Sequence, residues 1–139
     1  MKLVIRIAGM VKMVGKIEEG LSRLRLRRKY SAILLEETPE NEKFLRRLRD
    51  FVAYGKISEE NVAKLIQLRG QLKDKSKKID GKKIASELGK KKLEDFGLKP
   101  FFRLHPPRKG IESKKHFGKG KGVLGNHGEK INELLERML

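Results

Sequence analysis

Residues 2–7, with the sequence Lys-Leu-Val-Ile-Arg-Ile, decide how the N-terminal half of this chain folds. The odd-numbered positions of this stretch are all apolar, whereas two of the three even-numbered positions carry a cation. A period of two residues is typical of a half-buried β-strand, because successive side chains of a strand point to opposite faces. The stretch therefore predicts a strand that buries Leu3, Ile5 and Ile7 on one side.

The next segments predict a helix and then a second strand. From Lys16 the apolar spacing lengthens, since Ile17, Leu21 and Leu24 recur at the interval of one helix face. Residues 31–36 are apolar at consecutive positions and predict a strand that is buried on both faces. Residues 9–15 are predicted to form the loop between the first strand and the helix.

A second helix and a third strand complete the N-terminal half. Thr38 is suited to cap a helix and Pro39 to occupy its first position. Phe44, Leu45 and Leu48 would form the buried face, and residues 51–57 alternate as a third strand that is broken at Gly55. The order strand–helix–strand–helix–strand predicts an α+β core over residues 1–57.

The C-terminal half is predicted to extend this core. Residues 58–70 predict a helix with Val62, Leu65 and Ile66 on its apolar face, and residues 80–88 predict a shorter helix. Leu93 and Phe96 could support one more turn, so residues 58–98 form a helical extension. Residues 128–139 predict a final helix. We expect it to pack on the core, as part of a basic region at 99–139 within one globular unit.

The charge of the chain indicates the class of its partner. The 139 residues include 35 Lys or Arg and 18 Asp or Glu, for a formal net charge of +17. Such an excess destabilises the compact state unless a polyanion neutralises it, which favours nucleic acid over an anionic membrane. The chain contains no Cys, which excludes disulfides, zinc ribbons and thiol nucleophiles, and its low aromatic content of 6% disfavours base stacking as the main binding mode.

The excess positive charge is concentrated in clusters. Five cations fall within residues 23–29, four more within 43–49, and residues 99–126 combine eight cations with one acid. This last stretch has little apolar periodicity, and we expect residues 103–126 to be ordered only when bound to RNA. Since the stretch lies between Phe101-Phe102 and the final helix, it predicts a basic loop held at both ends.

Two motifs could indicate other functions. Residues 120–125 match the pattern GxGxxG, but no predicted strand precedes them and only the final helix follows, so the context of a dinucleotide site is missing. His105, His116 and His127 could in principle bind a metal or cleave RNA by acid–base catalysis. They lie in predicted loops 11 residues apart, with no i,i+4 pair and no carboxylate nearby to orient a ring, so we predict neither an enzyme nor a cofactor.

Two longer motifs carry a family resemblance. Residues 99–108 read Lys-Pro-Phe-Phe-Arg-Leu-His-Pro-Pro-Arg, and residues 125–134 read Gly-Asn-His-Gly-Glu-Lys-Ile-Asn-Glu-Leu. With the N-terminal block at residues 3–39 and with residues 51–70, they resemble the archaeal form of the large-subunit ribosomal protein thirty family, whose eukaryotic relatives are of the ribosomal protein seven type. The resemblance covers nearly the whole chain and is loose only at residues 71–98.

The resemblance implies a fold, a function and a location. It implies a β-α-β-α-β core with a three-stranded, largely antiparallel sheet of ferredoxin-like type. It implies a structural constituent of the large ribosomal subunit, without cofactor or enzymatic activity, that binds folded large-subunit rRNA near the 5S rRNA and contacts neighbouring proteins. The location would be the cytoplasmic ribosome. The family's long eukaryotic N-terminal extension is not present, so an archaeal source is expected.

The resemblance and the clusters together predict the rRNA-binding residues. Arg103, His105 and Arg108 are carried over from the matched motif, whereas Lys109 departs from the common Gly and Asn126-His127 from the common Tyr-Arg. The remaining predicted contacts are the cations of the clusters, namely Lys12, Lys16, Arg23, Arg25, Arg27, Arg28, Lys29, Arg46, Arg47, Arg49, Lys109, Lys114, Lys115, Lys119 and Lys121. An architectural DNA-binding protein is the alternative, and it is supported by charge alone.

Overall fold

The computed structural model describes most of the chain. It describes residues 2–7, 15–36, 38–49, 51–70, 81–87, 98, 101–108, 113–116 and 122–139. The predictions for Asp80, Leu88, Leu93 and Phe96, and for the loop at 9–14, lie outside the described residues.

Six strands and five helices are present in this part of the chain. The strands are β1 (Lys2–Arg6), β2 (Ser31–Leu35), β3 (Val52–Lys56), β4 (Phe102–Arg103), β5 (Ser113–His116) and β6 (Gly122–Asn126). The helices are α1 (Gly15–Arg23), α2 (Pro39–Arg47), α3 (Glu59–Arg69), α4 (Gly81–Glu87) and α5 (Ile131–Met138). A 3-10 turn at Gly128–Lys130 leads directly into α5.

The strands form a mixed sheet in the order β4-β2-β1-β3-β6-β5. The predicted antiparallel core is confirmed, since β1 pairs with β2 on one side and with β3 on the other, both antiparallel. The predicted number of three strands is wrong. β4 adds antiparallel to β2, β6 adds parallel to β3, and β5 adds to β6 through an irregular register. The extra strands come from the basic stretch, whose backbone completes its hydrogen bonds on the exposed edges of the core.

Helices cover both faces of this sheet. On one face Leu3, Ile5 and Ile7 pack in a cluster with the apolar residues of α3 and α5. On the other face Val4 packs with Leu21 of α1 and with the apolar residues of α2. The prediction that β1 is half-buried is therefore wrong. Its second face is also covered, because α1 and α2 both return across that side of the sheet.

The predicted cap at Thr38 and the predicted helix start at Ser58 are both confirmed. The Oγ1 atom of Thr38 accepts a hydrogen bond from the backbone N–H of Asn41 at 3.2 Å, with Pro39 at the first helical position. The Oγ atom of Ser58 accepts from the N–H of Asn61 at 3.3 Å at the start of α3. The predicted break at Gly55 is wrong, because β3 runs continuously through this residue.

The basic stretch is more regular than its composition predicts. The backbone N–H of Leu104 donates to the carbonyl of Tyr30 at 3.0 Å, and β6 pairs with β3 through Gly125 and Asn126. The expectation that residues 103–126 need RNA for order is therefore wrong for 103–108 and 122–126, where the chain supplies its own hydrogen-bond partners. Residues 109–112 and 117–121 lie outside the described residues. The division at residues 57 and 98 stays a prediction.

Candidate nucleic-acid interface

One end of the sheet gathers the segments that carry most of the predicted cations. β1 ends there at Arg6, whose carbonyl accepts from the N–H of Tyr30 at 2.7 Å, and the N–H of Ile7 donates to the carbonyl of Phe51 at 3.0 Å. Because β2 and β3 run antiparallel to β1, both strands begin at this end. The loop before β2 and the turn before β3 are therefore neighbours. We call this the basic end of the sheet.

The loop between α1 and β2 presents a dense set of exposed cations. Helix α1 ends at Arg23. We call the following residues 25–29 the basic loop, and all four of its cations are exposed to solvent. The second residue of the loop, Leu26, is completely buried among the residues of α1 and α2. Leu26 thus anchors the loop while Arg25 and Arg27 on either side of it are exposed.

Strand β4 brings a second predicted segment to the same place. Arg103 lies opposite Ser31, the residue that follows the basic loop after Tyr30. The guanidinium of Arg103 lies over the ring of Phe101, at 5.7 Å from its centroid, while the side chain stays exposed. A cation–π contact of this kind holds the guanidinium in one orientation without removing it from water. The tertiary structure therefore joins two clusters that are 74 residues or more apart in the sequence.

The third cluster reaches the basic end through α2. This helix starts after the far end of β2 and finishes beside the start of β3, so its C-terminus is at the basic end. Arg46, Arg47 and Arg49 are exposed there, and Leu45 and Leu48 are buried beneath them. The helix dipole also favours cations near a helix C-terminus, so this location stabilises the fold as well as the basic surface.

The opposite end of the sheet is rich in carboxylates. The helices α2 and α3 begin there, with acidic residues in their first turns, and Glu129 lies in the 3-10 turn before α5. Glu42 pairs with Lys2 at 2.8 Å, and the hydrogen bond from that ammonium holds the pKa of the carboxyl below its usual value. Exposed arginines are therefore gathered at one end of the sheet and most of the helix-start acids at the other, where Lys2 and Lys56 also lie.

His105 has a different environment from the exposed arginines. Its ring is partly buried, with Nδ1 at 2.6 Å from the carbonyl of Pro106 and Nε2 facing the backbone oxygen of Leu139. The backbone N–H of His105 donates to the carbonyl of Met138 at 3.2 Å, and the N–H of Arg108 donates to the carbonyl of Arg137 at 2.9 Å. The matched motif thus supplies partners for backbone oxygens at the end of α5, which the helix itself leaves unsatisfied.

We expect replacement of His105 by alanine to lower the free energy of unfolding by about 1–2 kcal/mol, because the ring then no longer donates its hydrogen bond to a backbone oxygen of Pro106 or Leu139. Urea denaturation measures this effect. Arg103→Gln, at an exposed position, serves as the control, and we expect it to leave stability unchanged. A His105→Ala variant of wild-type stability that bound rRNA with a reduced salt dependence would instead assign His105 to direct RNA contact.

The other predicted residues are placed less centrally. Lys16 is exposed in the first turn of α1, and Arg23 is exposed but pairs with Glu19 at 2.7 Å. Arg108 is exposed, and its carbonyl accepts from Nε of Arg137 at 3.0 Å. Lys114 and Lys115 belong to β5, for which the structure describes the backbone. The last four, Lys12, Lys109, Lys119 and Lys121, lie outside the described residues.

Arg6 is the main residue that the sequence pattern did not identify. The alternation of β1 placed it on the more exposed face, yet only 2% of its surface is accessible. Its Nη1 atom donates to the carbonyl of Leu26, within the basic loop, at 2.7 Å. A cation between the apolar residues Ile5 and Ile7 was the signal available in the sequence, but it did not show which segment would cover it.

Other types of site find no support in the described ranges. Within them no group of three or more His, Cys, Asp or Glu side chains is arranged to hold a metal ion. None of the helices described is both long and apolar enough to cross a membrane. The GxGxxG pattern does not form a phosphate loop in its described part, because residues 122–125 belong to β6.

Comparison with known proteins identifies relatives that match over nearly the full length of the chain. The large ribosomal subunit protein uL30 of Archaeoglobus fulgidus is 38% identical over 151 residues, covering 97% of this chain and 97% of the relative. The uL30 proteins of Methanobrevibacter smithii and Nanoarchaeum equitans are 38% and 36% identical, with 100% and 98% of this chain covered and 100% and 97% of the relatives. No protein-family model matches the chain.

Proposed function

Because the chain belongs to the uL30 family of large-subunit ribosomal proteins, we propose that it binds and stabilises folded large-subunit rRNA through the basic end of its sheet. Its relatives are structural proteins of the ribosome, and the chain is accordingly a cytoplasmic ribosomal component and not an enzyme. The single observation that carries the rRNA proposal is the separation of charge along the sheet. It gathers the basic loop, Arg103 and the end of α2 on one surface.

The chemistry of this surface is suited to a folded RNA. Arginine presents a planar fork of donors that can bridge two phosphates, and most of the predicted contacts at the basic end are exposed arginines. Neutralising phosphates releases condensed counterions, which supplies a large part of the binding free energy. Because the chain has few aromatic rings available for stacking, recognition would rest on the shape of the RNA backbone.

The salt dependence of binding tests the proposal. We expect the affinity of the full chain for transcribed archaeal large-subunit rRNA to fall with a log–log slope of about −0.7 to −0.9 for each phosphate contacted. The triple variant Arg27→Gln, Arg28→Gln and Arg103→Gln should lower the magnitude of this slope by about 2–3, since each arginine that is replaced reduces it by about 1. Filter binding between about 50 and about 200 mM salt measures both quantities.

A charge-matched control separates the surface from total charge. The variant Lys56→Gln, Lys64→Gln and Lys82→Gln removes three exposed cations away from the basic end. We expect it to keep the wild-type slope. Equal losses in the two triple variants would contradict the proposed surface. Duplex DNA that competed as well as rRNA would favour the architectural DNA-binding alternative.

We also propose the location near the 5S rRNA that the family resemblance implies. The chain has no Cys, so the variant Arg28→Cys carries one reactive thiol for a tethered hydroxyl-radical probe. In reconstituted large subunits, cleavage from this position should fall in the large rRNA and in the neighbouring 5S rRNA. Cleavage of the large rRNA alone would support the surface and contradict the 5S location. Failure of the wild-type chain to sediment with large subunits would contradict the function itself.

A further inference from the structure

Arg6 is a buried cation that contacts the basic loop at Leu26 and the residue that directly follows the loop, Tyr30. Its side chain donates from Nη1 to the carbonyl of Leu26 at 2.7 Å, and its backbone carbonyl accepts from the N–H of Tyr30 at 2.7 Å. Leu26 is the second residue of the loop and Tyr30 directly follows its last residue. One residue of the central strand therefore contacts the chain near both ends of the segment that carries the exposed cations.

The backbone of Leu26 is satisfied on both sides. Its N–H donates to the carbonyl of Leu21 at 2.9 Å, while its carbonyl accepts from Arg6, and its side chain is completely buried. A buried carbonyl without a partner is costly, so loss of the Arg6 guanidinium would leave Leu26 unsatisfied. The loop could restore this bond only by moving Leu26 toward water, which would displace Arg25 and Arg27 as well.

The loop adopts a backbone conformation that its residues do not favour. Arg25 has a φ of 64° and Tyr30 a φ of 66°, both in the left-handed region that non-glycine residues rarely occupy. Such conformations persist where the surrounding structure holds them in place, and they concentrate at functional sites. Arg25 is the first residue of the basic loop and Tyr30 directly follows its last residue. Arg6 bonds to Leu26, which lies between these two residues, and to Tyr30 itself.

Burying the charged guanidinium of Arg6 costs free energy. Burial disfavours the charged guanidinium and lowers its pKa from the usual value, although the nearby carboxylate of Glu18 partly offsets this effect. An arginine remains charged even so, because its ordinary pKa is far above neutrality. An apolar side chain such as methionine would fill a similar volume without this cost, so packing alone does not account for a cation at position 6.

From these contacts we propose that Arg6 is a positioning residue that holds the basic loop in the conformation which binds RNA phosphates, although Arg6 itself touches no RNA. The proposal rests on the proposed function and adds a buried determinant to it. A loop that is already ordered loses less conformational freedom on binding, and binding is tighter for that reason.

The first test compares rRNA affinities of the full chain at one salt concentration. We expect Arg6→Met to weaken binding about tenfold, since several residues must then be ordered on binding. Arg6→Lys retains a donor near Leu26 and should recover most of the lost affinity. It also keeps the test informative if the methionine variant fails to fold. Because neither variant removes an exposed cation, the slope of affinity against salt should stay close to that of the wild type.

A matched control distinguishes positioning from stability. Leu134→Ala removes a core side chain on the opposite face of the sheet from Arg6, and we expect it to destabilise the fold through the cavity that it leaves, which urea denaturation measures. Under conditions in which Leu134→Ala and the wild-type chain are both folded, their rRNA affinities should be equal. Wild-type affinity in Arg6→Met, or equal loss in Arg6→Met and Leu134→Ala, would overturn the proposal.

Amide hydrogen exchange of the free protein provides a readout that does not depend on RNA. We expect Arg6→Met to speed exchange at the N–H groups of Leu26 and Tyr30, while that of Gly70 at the end of α3 stays protected through its bond to Ile66. Unchanged exchange at Leu26 and Tyr30 would overturn the proposal. A wild-type chain that bound no rRNA would contradict the proposed function, and hydrogen exchange would still decide whether Arg6 holds the loop.

Discussion

Replacing Gly55 by alanine should lower the free energy of unfolding by about 3 kcal/mol, near the upper end of the usual cost of overpacking. A Cβ atom at this position would lie 2.2 Å from the carbonyl oxygen of Gly128 and 2.9 Å from Cβ of Ile131. The first of these atoms belongs to the backbone and cannot turn aside. The 3-10 turn and α5 would have to move away from β3, which would open the apolar face of the sheet that they cover.

Urea denaturation of Gly55→Ala measures this loss of stability, and Gly15→Ala is its matched control. Gly15 is the first residue of α1, and a Cβ atom there would have no neighbour within 4 Å. We expect Gly15→Ala to leave stability unchanged or to raise it by up to about 1 kcal/mol, because alanine has less freedom to lose on folding. Wild-type stability in Gly55→Ala would contradict the close approach of α5 to β3.

Replacing Asn132 by alanine should also lower the free energy of unfolding by about 3 kcal/mol, since it breaks a network of hydrogen bonds made by both ends of one amide. Its Oδ1 atom accepts from the N–H of Ser58 at 3.0 Å and from Nδ2 of Asn61 at 2.8 Å. Its Nδ2 atom donates to the carbonyls of Lys56 at 3.3 Å and Glu129 at 2.7 Å. The alanine variant would leave Asn61, only 5% exposed, without this acceptor.

A double-mutant cycle with Asn61→Ala isolates the bond that the two amides share. We expect the double variant to be more stable than the sum of the two single losses predicts, because removing both partners leaves no unsatisfied amide. Glu133→Gln, the exposed neighbour of Asn132 on α5, serves as the control and should remain within about 0.5 kcal/mol of the wild type. Strict additivity in the cycle would contradict a direct bond between the two amides.

Much of the core could be predicted from local patterns. The alternation at residues 2–7, the caps at Thr38 and Ser58 and the apolar face of the final helix all express preferences between near neighbours in the chain. The edge strands could not be predicted in this way. β4 contains two residues and β6 contains two glycines, so neither has the apolar alternation that marks a strand. Both are stabilised by pairing with edges formed far away in the sequence.

The candidate interface could be predicted in part from the sequence. The clusters of cations at 23–29 and 43–49 are evident in the chain itself, and the matched motif added Arg103, His105 and Arg108. The structure distinguishes among the members of this motif. Arg103 is exposed beside the basic loop, whereas the ring of His105 faces backbone oxygens of Pro106 and Leu139. A motif shows that residues belong together, but the contacts of each side chain depend on which segment packs against it.

By itself the sequence determined the α+β core, the basic character of the chain and its family, because these follow from periodicity, composition and motifs along one chain. Only the tertiary structure decided that β4 and β6 extend the sheet, and that separate cationic clusters meet at one end. It also placed Arg6 beneath the basic loop. The physical reason is that pairing of strand edges and burial of polar groups depend on partners distant in sequence, whose identity no local pattern contains.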